Sequence, residues 1–195
     1  LNDRAHEVYL RLARESGDIV TLGVQPDRPE TGYGYLEVGD PLEGDASARP
    51  VVRFCEKPDI DRARQWLKGG NHLWNAGIFV FRVDAMIREL KAHLPATAEA
   101  LQDLGDGEAT LVDVWPRLEA TSIDYGLMER CRRILTLPVS VEWSDLGDWE
   151  TVGALLPEIR GGKGLCKDSV AQDARDCVVH APNQVVALVG VEDLI

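Results

Sequence analysis

Short apolar, β-branched runs alternate along this chain with stretches whose apolar residues recur every three or four positions. Residues 19–24, 33–38, 51–55, 77–81 and 134–141 have strand character. Between them lie helical patterns. Ala5, Val8, Leu12 and Ala13 keep helical spacing up to a stop at Ser16-Gly17. Ile60, Ala63, Trp66 and Leu67 follow an N-capping Asp59 and precede Gly69-Gly70. Ile87, Leu90 and Leu94 follow Asp84, which reads as the next cap, and stop at Pro95. Residues 96–104, 125–132 and 149–156 read as further helices. Strands alternating with helices predict a layered α/β domain on a mostly parallel or mixed sheet.

After Pro157 the pattern changes. Gly161-Gly162-Lys163-Gly164 lacks the spacing of a phosphate-binding P-loop and reads as a linker. Short β-type runs, 177–179 and 185–189, follow it. The expected division is therefore a main domain over 1–160 and, over 161–195, a linker with the start of a β module.

Charge and composition narrow the function. The 195 residues carry a formal net charge of -12, which repels nucleic-acid backbones and anionic lipid. No apolar run is long enough to span a bilayer. Cys55, Cys131, Cys166 and Cys177 lie far apart, as expected of reduced thiols in a cytoplasmic protein. The four histidines lack zinc-ligand spacing.

Four polar islands interrupt the apolar runs. In Thr31-Gly32-Tyr33-Gly34-Tyr35, two glycines let a ligand approach the backbone; the plain alternative is a tight entry into a strand. In Glu56-Lys57-Pro58, a carboxylate suits sugar hydroxyls and an ammonium suits a phosphate; the alternative is a solvated ion pair. In Trp74-Asn75-Ala76-Gly77, an amide opens an apolar strand and needs partners from the backbone or a ligand. Trp74 reads as packing. In Trp143-Ser144-Asp145-Leu146-Gly147, a loop carboxylate offers oxygen to a hard cation such as magnesium, while Asp148 reads as a helix cap.

These islands, in this order and with Ser122-Ile123-Asp124-Tyr125-Gly126-Leu127-Met128-Glu129, resemble the sugar-phosphate nucleotidyltransferases, and within them the mannose-1-phosphate guanylyltransferase branch. The resemblance implies a Rossmann-like domain followed by a β-helical extension. It also implies a transfer between mannose 1-phosphate and GTP, and Mg2+ as cofactor. Tyr33, Gly34, Glu56 and Asn75 would then bind the hexose, Lys57 its phosphate and Asp145 the metal. A homodimer fits the same family. Leu1 is not an initiator methionine, and the family's glycine-rich nucleotide loop and second metal aspartate do not occur here. The expectation is an acceptor-binding portion of a longer enzyme, inactive by itself. The residues leave two alternatives open: a regulatory subunit that binds a sugar nucleotide, and a nucleotidyltransferase for another hexose 1-phosphate.

Overall fold

Strand β1 (Ile19–Val24) is buried at every position, and its two faces serve two cores. Ile19 packs with Leu36, Phe54, Leu73, Met86, Leu127 and Ile134. Val20 and Leu22 pack with Leu135, Leu137 and the inward face of helix α1 (Asp3–Ser16), Tyr9, Leu12 and Ala13. A strand covered on both faces must be apolar throughout, which is why this run lacks alternation. The computed structural model describes residues 3–45 and 47–195; Leu1, Asn2, Ala46 and the side chains of residues 3–6, Ala5 among them, lie outside what it describes.

Two compact units divide the chain, residues 1–142 and 143–195. The boundary falls earlier than the 160/161 break expected from composition. The first unit holds strands β2 (Gly34–Val38), β3 (Arg49–Glu56), β4 (His72–Val80) and β5 (Ile134–Val139) beside β1. Their order is β1-β4-β2-β3-β5, with β5 pairing parallel to β1 and the other pairs antiparallel. The sheet is mixed, as the alternation implied. It closes into a barrel rather than lying open between helical layers, because β5 bonds both β1 and β3.

Helix α2 (Ile60–Gly69) has the expected caps: Asp59 accepts the Arg62 N–H at 2.8 Å, and Gly70 ends it in the left-handed region. Helix α3 (Val83–His93) departs from expectation. Asp84 lies in its first turn, paired with Arg82, rather than at the cap. Leu90 and Leu94 do face the core, joined by the buried Ala85, Met86 and Glu89, whereas Ile87 is exposed. Helices α4 (Pro95–Gly105) and α5 (Leu111–Val114) follow. The short helix expected over 125–132 is instead a wider π-type turn over Asp124–Met128. A Cβ on Gly126 would come within 2.7 Å of Thr121 and 3.1 Å of Leu94, so any larger residue there would have to displace those side chains.

The second unit contains helix α6 (Trp149–Leu155) and strands β6 (Glu158–Ile159), β7 (Gly162–Gln172) and β8 (Cys177–Val189). Gly161 and Gly162 are not a linker. Arg160 and Gly161, the latter at φ of 87°, turn β6 into β7 as an antiparallel hairpin, and Gly162, at φ of 154°, opens β7 paired with Ile159. Strands β7 and β8 are consecutive yet parallel, offset by 15 residues at Gly162–Cys177 and by 17 at Gln172–Val189. A straight strand of this length would span roughly 36 Å, whereas the four residues 173–176 bridge at most about 18 Å. Strand β7 therefore curls back towards its own start.

Candidate functional site

The sequence islands of the first unit meet where β2, β3 and β4 lie side by side. Gly34 pairs directly with Glu56 across β2 and β3. The Glu56 carboxylate leans over Gly34 so closely that a Cβ there would stand 2.5 Å from Oε2. The same Cβ would be 3.3 Å from the Cβ of Asn75, which brings the third island to this spot.

Asn75 is aimed by a bulge. Between the pairs Thr21–Phe79 and Gly23–Asn75, β4 carries extra residues that β1 lacks, and Gly77 takes φ of 70°. Such bulges re-aim side chains at a sheet. The Thr21 hydroxyl lies 2.9 Å from Asn75 Oδ1 and 3.1 Å from the Ile78 carbonyl, tying the amide to the bulged segment. Asn75 is 7% exposed, and its oxygen is satisfied from within the barrel. The bulge also explains why 77–81 is not the buried central strand that its apolar run predicts. Residues 72–75 are buried, while Gly77 and Ile78 are exposed.

Lys57 is exposed and adopts φ of 47°, a left-handed conformation that non-glycine residues seldom hold. Its N–H donates to the Tyr33 carbonyl at 3.2 Å. The Tyr33 ring packs edge-on against Trp74, 5.2 Å between centroids, and its hydroxyl accepts from Arg28 at 3.2 Å. Tyr33 thus supports the turn from the fold's interior, and Trp74, 2% exposed, is packing as expected.

Two acidic residues join this cluster that received no role from the sequence: Asp124 and Glu129, at either end of the π-type turn. Glu129 Oε1 accepts the backbone N–H of Glu56 at 2.9 Å. Burial first, then the Asp124 charge and more weakly Glu129, push the Glu56 carboxyl up to about 7, against the opposing pull of Lys57. Asp124 is also raised, mainly by burial. The only signal in the sequence was their place in the Ser122–Glu129 stretch.

A separate cleft of about 480 Å³ opens between α1 and strand ends, lined by Tyr9, Val38, Arg49, Leu73 and Val139 among others. None of the island residues lines it, so the candidate site follows the side-chain chemistry rather than this cleft.

Asp145 belongs to the second unit. It is exposed on an irregular loop, with Oδ1 accepting the Gly147 N–H at 3.2 Å and Leu146 in the left-handed region. Asp148 caps α6 as expected, accepting the Thr151 N–H at 2.7 Å. Among the described residues no three His, Cys, Asp or Glu side chains converge as a metal site. A single exposed carboxylate still fits magnesium, which takes one or two protein carboxylates and completes its shell with water and phosphate oxygens.

The chain superposes on a crystal structure described as mannose-1-phosphate geranyltransferase from Thermus thermophilus, with TM-score 0.78 and 35% identity over 97% of this chain and 55% of that one. The fold is thus an α/β domain of the nucleotidyltransferase class. Residues 2–159 match the family model described as Nucleotidyl transferase, and the chain belongs to that family. It is 36% identical to a mannose-1-phosphate guanylyltransferase of Salmonella montevideo, over 93% of this chain and 41% of the relative. It is also 36% identical to the alginate biosynthesis protein AlgA of Pseudomonas fluorescens, over 94% of this chain and 40% of the relative. The chain thus spans about two fifths of the curated relatives it matches.

Proposed function

We propose that this chain is the acceptor-binding part of a mannose-1-phosphate guanylyltransferase. In the full protein, a phosphate oxygen of mannose 1-phosphate attacks the α-phosphorus of GTP. The new P–O bond forms as the bond to the bridging oxygen breaks, giving GDP-mannose and pyrophosphate. The observation that carries this reading is the convergence of Gly34, Glu56 and Asn75, with Lys57 directly following, in a chain whose relatives bear that name.

Each residue has a task in the reading. Glu56 and Asn75 take the hexose hydroxyls, and Gly34 admits the ring to the backbone. Lys57 neutralises the acceptor phosphate, with Tyr33 holding its backbone. Catalysis is then chiefly positioning and charge neutralisation. Asp145 would hold Mg2+, which when bound supplies positive charge to the phosphates. The acidic charge supports small-molecule substrates over nucleic acid or membrane, and no helix among the described residues is long and apolar enough to cross a membrane. The reading includes a cytoplasmic location and a homodimer. The curled, parallel β7–β8 pair supports the start of a β-helical extension.

Lys57→Ala in the full-length protein tests the assignment. Removing a charge-assisted contact should cost about 2 kcal/mol, a loss of tenfold or more in mannose 1-phosphate affinity with GTP affinity kept. Equal losses for both substrates in a binding titration would overturn it.

A further inference from the structure

We propose that Glu129 is a positioning residue of the acceptor site, holding the end of β3 at the rotation that lays Glu56 across Gly34 and Lys57 into its left-handed turn. The proposal rests on the reading that Glu56 and Lys57 bind the acceptor.

The argument begins with the backbone. Along an antiparallel strand, N–H groups point alternately to one edge and the other. The Lys57 N–H is committed to Tyr33 on the β2 side, so Glu56, one residue back, directs its N–H to the opposite edge. Strand β5 covers that edge only at Arg49 and Pro50. Among the described residues no strand neighbours that edge at Glu56, and an N–H left unpaired there would cost about as much as a lost hydrogen bond. Glu129 supplies the partner from 73 residues away.

The anchor is itself fixed. Glu129 donates its own N–H to the Asp124 carbonyl at 2.9 Å, closing the π-type turn. Gly126 seats that turn against Thr121 and Leu94, and Leu127 and Met128 are fully buried beneath it. Wide turns of this kind recur at functional sites. Here the turn ties a buried core to the last residue of a strand that carries two site residues at its tip.

Glu129 also acts through charge. The groups facing Glu56 are Lys57 from the adjoining turn and Asp124 and Glu129 from the π-type turn. Two carboxylates oppose ionisation of Glu56 and one ammonium favours it. The proton on Glu56 is therefore set partly by Glu129, and with it whether Glu56 donates to a sugar hydroxyl or only accepts.

The experiment uses the full-length protein, with mannose 1-phosphate as probe and GTP as control. Glu129→Ala should raise the KM for mannose 1-phosphate about tenfold and leave that for GTP unchanged. Glu129→Gln keeps an accepting oxygen and removes the charge. It should restore the KM above neutral pH and move the pH dependence of acceptor binding to lower pH. Glu56→Ala separates the two levels of the argument. Lost acceptor binding in Glu56→Ala beside a normal KM in Glu129→Ala overturns the positioning role and leaves the proposed function standing. Normal acceptor binding in Glu56→Ala overturns the acceptor-site reading itself, and the inference with it. Where Glu129→Ala melts too low to assay, Glu129→Asp decides, since its shorter side chain draws the carboxylate back from the Glu56 N–H, and an unchanged acceptor KM there overturns the proposal.

Discussion

At the scale of single residues, the crossing of Glu56 over Gly34 makes the sharpest demands. In Gly34→Ala the added Cβ meets a carboxylate oxygen at 2.5 Å, and that oxygen ends a flexible side chain which can swing aside. Stability should fall by about 1 kcal/mol or less, while acceptor affinity in the full protein falls about tenfold. Melting curves beside mannose 1-phosphate titrations check the split. Protonation of Glu56 gives a second test. Its carboxyl moves from 4.5 to about 7 on folding, so between those values the folded state binds more protons than the unfolded one. The wild type should lose stability relative to Glu56→Gln as pH rises through that window, with no further change above it. A midpoint difference that stays constant from pH 4 to 8 would contradict the half-buried, partly protonated carboxyl.

Elements of the second unit are decided by backbone approach. Strands β7 and β8 begin together at Gly162 and Cys177, and a Cβ on Gly162 would overlap the Cys177 carbonyl oxygen. Backbone cannot rotate away as a side chain does. Gly162→Ala should cost more than about 2 kcal/mol, well beyond an ordinary surface substitution. Hydrogen exchange at the amides of β8 should rise with it, and unchanged protection there would refute the close pairing. Read only along the chain, the four residues from Gly161 to Gly164 look like a flexible break, since glycine serves tight hairpins and loose linkers alike. The partner strand that distinguishes the two lies 15 residues on.

For the whole molecule, the metal role proposed for Asp145 can be separated from the capping role of Asp148. Both lie near the start of the second unit, and either could be chosen by eye. Asp148 accepts the Thr151 N–H, a role asparagine fills about as well. Asp148→Asn should therefore leave full-length turnover and melting close to wild type. Asp145→Asn removes the negative charge that a hard cation needs, and turnover should collapse while the melting midpoint holds. A dead Asp148→Asn enzyme beside a normal Asp145→Asn enzyme would reverse the assignment. Residues 1–195 by themselves should make no GDP-mannose, and product formation by this chain alone would overturn the acceptor-part reading.

What the sequence determined was chiefly local. The run at β1, the Asp59 and Asp148 caps and the Gly70 stop follow from periodicity and from side chains bonding backbone a few residues away. The residues that converge around Gly34 were legible as candidates too, because carboxylate, ammonium, amide and glycine at the ends of apolar runs carry recognisable chemistry. Tertiary structure alone decided the rest. The closure of β5 onto both β1 and β3 and the bulge that aims Asn75 depend on how distant strands align. The bond from Glu56 to Glu129 depends on a path of 73 residues. Periodicity records which face of an element is buried; which partner covers it, and which charge then stands beside it, is set only when the chain has closed on itself.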